Sequence, residues 1–323
     1  MADEPSHSGL GRMLAIAVAL VASVAVPGRA QLRCEDTQYH VGSRSDPFTS
    51  RYHVVQLYGD VSHRSSNFFA EGYDGEVSTT TLRVIYPRLS ELVRTRVPLP
   101  DLFVGVTASQ LTDLAWENRL DAVAGLEWRP LKRTTLPEGP ARWLNQLRLY
   151  ASQYQSAYLR DGSDFAWRPH GDTRVGAELY RECNMFPANS ANESLLWAEV
   201  WGDVSWRRTN YVEDHFQSWT AAFVPKVGLR FPRGRAAALM LYASGEFSKT
   251  QRSEPWQNRM LAGGGVRVMP FRWHEGALTD VLRGARIYVE ELWLVKEFNE
   301  PVGTLTPKRD VRFGVSFVVN RWQ

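Results

Sequence analysis

Arg309-Asp310-Val311-Arg312-Phe313-Gly314-Val315-Ser316-Phe317-Val318-Val319-Asn320-Arg321-Trp322 decides how the rest of the chain is read. Val311, Phe313, Val315, Phe317 and Val319 share one face of an extended segment, and Arg312, Gly314, Ser316 and Asn320 share the other. Side chains of a strand alternate between faces, whereas a helix would bring together residues three and four apart. The stretch is therefore a strand, apolar on one side and polar on the other, running almost to the last residue.

The opposite end of the chain agrees with a membrane destination. Arg12 precedes an apolar run from Met13 to Val26, and Gly28-Arg29-Ala30 supplies small residues where a signal peptidase would cut. A basic start, a short apolar core and a small-residue exit describe a secretory signal peptide. A membrane-spanning helix would need roughly 20 apolar residues. Residues 1–30 are thus expected to be removed, leaving 31–50 as a polar lead-in and 51–323 as the folded body. No later run is long enough to cross a bilayer as a helix, so a membrane-resident body must be a closed barrel with every backbone group paired. Arg312, Gly314, Phe317, Val319 and Trp322, in that order, resemble the terminal assembly signal of bacterial outer-membrane barrels. The aromatic residue here is penultimate, because Gln323 follows it.

The same alternation recurs along the chain. Twelve strands are predicted: Tyr52 to His63, Glu76 to Tyr86, Asp101 to Ser109, Arg119 to Trp128, Trp143 to Gln153, Thr173 to Glu182, Leu196 to Arg207, Phe216 to Arg230, Arg235 to Ser248, Met260 to Met269, Ala285 to Phe298 and Lys308 to Trp322. Many reach ten residues or so, longer than the five or six usual in soluble sheets and about what a tilted membrane strand requires. The spacing predicts a short helix and loop over Arg88 to Pro100, and a long loop or strand extension over Leu159 to Gly171. Pro225 and the Gly263-Gly264-Gly265 run predict bulges or sharp curvature. The fold class is all-β: an antiparallel transmembrane barrel of about twelve strands in a bacterial outer membrane, contacting its lipids and inserted by the barrel assembly machinery.

Composition is compatible with this and excludes other classes. Mean hydropathy is −0.33, yet 12% of residues are aromatic and 12 are Trp. A barrel reconciles these values, because its apolar outer band alternates with a polar interior and its aromatics gather at the two interfaces. Thirty-eight basic residues against 35 acidic give a net charge of +3, so no field of one sign points to nucleic acid. Only five of the basic residues are Lys. The excess of Arg suits recognition of carboxylate, phosphate or sugar hydroxyls, although a genome rich in G and C would give the same bias. Cys34 and Cys183 are the only cysteines. An oxidising compartment allows a bridge between them, two separate thiols are the alternative, and no metal spacing involves either.

The polar faces carry the candidate site. Arg148, Tyr150, Arg174, Glu178, Tyr180, Trp197, Glu199, Trp201, Asp203 and Arg267 are predicted to face the lumen, beside Arg119, Asp121, Glu127, Arg207, Glu246, Glu290 and Arg312. With both signs on neighbouring strands, cross-strand ion pairs that hold the barrel are the first reading. The second is a surface that contacts a hydrophilic polymer, with aromatic rings as platforms for sugars. Catalysis has little support. His53, His63, His170, His215 and His274 are scattered, and the Ser62 and Ser65 neighbours of His63 point in different directions, so an outer-membrane lipid hydrolase is the minor alternative. A soluble periplasmic β-protein is the other. Asp161-Gly162-Ser163-Asp164 lacks the terminal glutamate of a calcium loop. No phosphate-cradling glycine loop exists, and no cofactor is expected.

Three phrases carry a more particular resemblance: Gly125-Leu126-Glu127-Trp128-Arg129-Pro130-Leu131, Phe165-Ala166-Trp167-Arg168-Pro169 and Glu291-Leu292-Trp293-Leu294-Val295. Together they resemble the C-terminal barrel region of the bacteriophage adsorption protein A family over roughly Ile85 to Trp322. The chain departs from that family's plan in lacking a long helical-repeat region before the barrel. The resemblance implies a pore or membrane component of an exopolysaccharide export system, with the polymer and periplasmic export proteins as partners.

Overall fold

Strands this long leave two rows of backbone groups to satisfy, and the chain satisfies them by closing on itself. The structure is a computed structural model and describes residues 33–35, 54–67, 73–86, 99–112, 118–131, 144, 146–160, 164–184, 196–210, 216–233, 237–251, 258–271, 282, 284–298 and 308–322. The strands are β1 (Arg33–Glu35), β2 (Val54–Ser66), β3 (Tyr73–Tyr86), β4 (Asp101–Leu111), β5 (Arg119–Trp128), β6 (Arg148–Arg160) and β7 (Asp164–Asn184). They continue as β8 (Leu196–Thr209), β9 (Phe216–Arg233), β10 (Ala237–Thr250), β11 (Arg259–Met269), β12 (Arg286–Glu297) and β13 (Arg309–Trp322).

From β2 to β13, each strand pairs antiparallel with the next in sequence, and β13 pairs back onto β2 through Asp310 opposite Ser66 down to Trp322 opposite Val54. These twelve strands make a closed barrel with no free edge of its own. The three-residue β1 lies outside the ring, against the end of β7. Both the start of β2 and the end of β13 lie at one mouth. No helix among the described residues is long and apolar enough to cross a membrane.

The barrel is inverted relative to a soluble protein. Val61, Leu82, Val106, Leu126, Val175, Val204, Leu241, Val289, Phe313 and Val315 are exposed on the outside, while Gln56, Arg83, Asp121, Glu127, Asp172, Glu199, Arg267, Glu290 and Asp310 are buried inside. An apolar belt around a closed polar interior is stable only where hydrocarbon surrounds it. Aromatics mark both rims of that belt. Tyr86, Trp128 and Phe231 are near the mouth that holds the termini, and the cross-strand pair Trp206 and Trp219 is near the other. The chain is an outer-membrane β-barrel.

Several boundaries differ from the sequence reading. The fifth predicted strand begins at Arg148 rather than Trp143, and Leu144 and Gln146 lie in a helical turn before it. Leu159 to Gly171 is strand extension: β6 runs to Arg160, β7 starts at Asp164, and Leu159 pairs with Phe165. Pro225 makes no bulge. It lacks the N–H that would join β10, so the ladder is interrupted between Lys226 opposite Ser244 and Phe223 opposite Phe247 and then resumes in the same register. The triple glycine also keeps register. The irregularities fall at Met260/Leu261 and at Gln155/Ala157 instead. Gly265 is there for space, since a Cβ would meet the Val289 carbonyl at 2.4 Å and the Tyr242 hydroxyl at 2.8 Å. The tyrosine ring lies over the glycine, an aromatic covering a gap in the wall. The predicted signal segment, residues 31–32 and 36–50 of the predicted lead-in, and residues 88–98 lie outside the described residues.

Candidate functional site: the lumen wall

Alternation carries the charged residues inward, and inside a closed barrel they meet partners on strands that are not their neighbours. On the β8–β12 side, Lys226 Nζ donates to Glu290 at 2.7 Å, and Tyr242 Oη donates to the same carboxylate at 2.8 Å. Arg267 donates to Glu199 at 2.8 Å, and Arg286 reaches it at 3.4 Å. Glu199 is on β8 while its partners are on β11 and β12, so these contacts cross the concave interior rather than follow the wall. Arg267 also lies over the rings of Trp197 and Tyr242, 5.6 and 5.2 Å from their centroids. The Trp197 and Tyr242 rings meet edge to face at 6.1 Å.

Further networks continue along the wall. Arg83 and Arg148 both donate to Glu127, at 2.5 and 3.1 Å, and Arg148 also pairs with Glu178, which accepts from Trp201 Nε1 at 3.2 Å. Toward the mouth away from the termini, Asp172 is held by Arg174 at 2.6 Å and Arg207 at 2.8 Å. Across the seam that closes the barrel, Arg64 binds Asp310 through two nitrogens at 2.8 and 2.5 Å. Arg312 bridges Asp310 at 2.7 Å and Glu246 at 2.9 Å. Two carboxylates are held by phenols: Tyr150 donates to Asp203 and Tyr288 to Asp60, each at 2.7 Å.

The sequence-predicted lumen residues are therefore on the expected face, and most are engaged with each other. Arg148 with Glu178, Tyr150 with Asp203, Glu199 with Arg267 and Trp201 with Glu178 are direct partners, and Arg174 takes Asp172. Tyr180 and Trp197 are buried, at 8% and 0% exposure. In the segment predicted to be an assembly signal, Arg312 is part of the seam network and Gly314 faces the lumen against Ser62. Phe317 faces outward over Gly59. The Val319 and Trp322 side chains lie outside the described residues, as do those of Cys34 and Cys183.

The sequence reading placed Trp197 and Tyr242 on the lumen face but missed the other apolar residues packed inside the barrel. Trp197, Met240, Tyr242 and Met269 form one buried cluster, and Ile85, Phe103 and Val123 form another, with Tyr154 packed against it. Leu261 and Leu292 are fully buried. In sequence they sit at polar-face positions of β3, β4, β5, β10, β11 and β12, which was the signal available. His63, the last residue of the first predicted strand, is inside β2. It lies on the outer face of β2 with Nε2 2.9 Å from Asp74 and Nδ1 3.3 Å from Glu76. Ser65 shares its face, and Ser62 points into the lumen.

One sector of the wall, between the Arg64 and Arg83 ion pairs, carries hydroxyls with a single carboxylate, Asp60, which pairs across the strands with Thr79 and is held by Tyr288. Tyr58 faces the lumen with 37% exposure and Thr79 beside it is exposed. Thr81 and Thr107 share a hydroxyl hydrogen bond at 3.0 Å, and Ser109 pairs with Thr79 across β3 and β4. These hydroxyls surround Asp60 on the inner face of β2–β4, and Thr81 is buried among them. On the outside, by contrast, a cleft of about 460 Å³ between Leu126, Trp128, Leu149, Val175, Val204 and Trp219 opens toward the lipid.

No protein-family model matches the chain, and no curated protein matches it. Among solved structures, the chain is similar to the beta domain of the Bordetella autotransporter Brka, with 12% identity and a TM-score of 0.35 over 82% of this chain and 98% of that one. It is similar to an outer membrane channel from Pseudomonas putida F1, with 13% identity and a TM-score of 0.36 over 89% and 100%. It is also similar to a bacterial polysaccharide outer membrane secretin, with 11% identity and a TM-score of 0.31 over 84% and 99%. The barrel itself rests on this chain's own closed strand pairing.

Proposed function

We propose that this barrel is a non-enzymatic pore or membrane component of an exopolysaccharide export system, with the hydroxyl-bearing sector of β2–β4 as the path of the sugar chain. The observation that carries the reading is the exposed Tyr58 ring with the Thr79, Thr107 and Ser109 hydroxyls near it and the Asp60 carboxylate among them. An aromatic platform with hydroxyls around it offers stacking and exchangeable hydrogen bonds to a neutral sugar. The interlocked ion pairs opposite it would keep the passage from collapsing. Outer-membrane lipids, the assembly machinery and periplasmic export proteins are the partners this reading requires. The resemblance to the bacteriophage adsorption protein A family points the same way through the phrases at the end of β5, in β7 and in β12. Against hydrolysis stands His63, whose two nitrogens both face carboxylates and not a serine.

The test is conductance of the purified chain in a planar bilayer, with neutral and acidic oligosaccharides added to either side. The reading predicts stable channels that neutral sugars block, and weaker blockade in Tyr58→Ala. A folded barrel that never conducts would overturn it.

A further inference from the structure

We infer that Cys34 and Cys183 form an intramolecular disulfide that staples β1 to the end of β7. The backbone pairs Arg33 with Asn184, Cys34 with Cys183 and Glu35 with Glu182, so the chain's two cysteines stand directly opposite each other in an antiparallel ladder. Directly opposed residues of such a ladder have Cα atoms about 4.5 to 5.5 Å apart, inside the range of about 4.4 to 6.8 Å that a disulfide spans.

The position has a structural reason. β7 runs to Asn184, whereas β6 pairs with it only as far as Arg148 opposite Glu178. On its other side β7 is paired with β8 up to Asn184 opposite Trp197. The last turn of β7 would therefore carry one unpaired edge at the mouth that holds the termini. β1 fills that edge, but three residues of pairing hold a strand weakly. A covalent link at its middle residue holds it there, and it closes a loop containing β2 to β6 and nearly all of β7, which constrains the unfolded chain strongly because the loop is long.

An outer-membrane protein passes through an oxidising compartment before it folds. The chemistry is thiol–disulfide exchange with a protein disulfide. One cysteine thiolate attacks the oxidant's S–S bond to give a mixed disulfide. The second thiolate then displaces the oxidant's sulfur, so the barrel's two thiols lose two electrons and two protons and the oxidant departs as a dithiol.

The experiment uses the full chain isolated from outer membranes without reductant, denatured and treated with iodoacetamide before and after reduction. The inference predicts no alkylation before reduction and two alkyl groups after it, read by intact mass. In Cys34→Ser the remaining Cys183 should alkylate without reduction. Two alkyl groups on the unreduced wild type, or a reducible dimer, would overturn the inference, and neither readout depends on a variant folding.

Discussion

The two sides of the lumen differ more than the two faces of any strand. On β8–β12 the interior is filled: Glu199, Lys226, Arg267 and Glu290 are locked together above Trp197, Met240 and Met269, and Leu261 and Leu292 are fully buried. On β2–β4, between the Arg64 and Arg83 ion pairs, the wall presents the open ring of Tyr58 and the hydroxyls of Thr79, Thr107 and Ser109, with one carboxylate, Asp60, held by Tyr288. Buried ions need partners in place, so the first side is rigid by necessity. Hydroxyls exchange partners with water at little cost, so the second can face a changing solute. Within one closed sheet, the barrel separates a wall that holds shape from a wall that is free to bind.

Removing a charge from the filled wall should have the largest effect. Glu199→Ala leaves Arg267 and Arg286 facing each other without their shared anion, and should cost about 3 to 5 kcal/mol. The check is the urea midpoint of the folded barrel in lipid vesicles, followed by heat-modifiable gel mobility. A midpoint unchanged from wild type would mean the network is not structural.

A lipid-face substitution sharpens the comparison, because hydrocarbon meets both walls alike. Val204→Arg behind the filled wall and Val106→Arg behind the open one should each cost about 2 to 4 kcal/mol near the midplane, in the same assay. A large difference between them would show that one of the two does not face lipid.

Gly265→Ala should cost about 1 to 3 kcal/mol, since the new methyl must displace the Tyr242 ring or the Val289 carbonyl. The paired variant Gly265→Ala with Tyr242→Leu should recover part of the loss if the clash with the ring is its cause. Smallest in stability is Tyr58→Ala, expected within about 0.5 kcal/mol because the ring is exposed. Its effect should be on sugar blockade of single-channel current, where no change would remove this sector from the path.

The architecture was legible because a membrane barrel repeats one pattern on every strand. Val311 to Val319 on one face and Arg312 to Asn320 on the other already state which side meets hydrocarbon, and β8 with Trp197, Glu199, Trp201 and Asp203 states it again. Strand ends were less legible. Leu147, Leu149 and Ala151 continue an alternation that Leu144 and Gln146 do not join, and nothing local separates them. The candidate site was legible as a face but not as a set of contacts. Glu127 and Arg148 were recognisable as inward residues, whereas their meeting with each other and with Arg83 requires β3, β5 and β6 to lie close in a curved sheet.

Sequence alone determined the period of two, the number of strands that length allows, and the polarity of each face, because these depend only on neighbours along the chain. Tertiary structure decided which charge meets which, that Met240, Leu261 and Leu292 fill the interior, that Tyr58 stays open, and that Cys34 lies opposite Cys183. Those depend on strand register and on closure of β13 against β2. They join residues hundreds of positions apart, such as Arg64 and Asp310, whose separation of 246 residues leaves no local trace of the pairing.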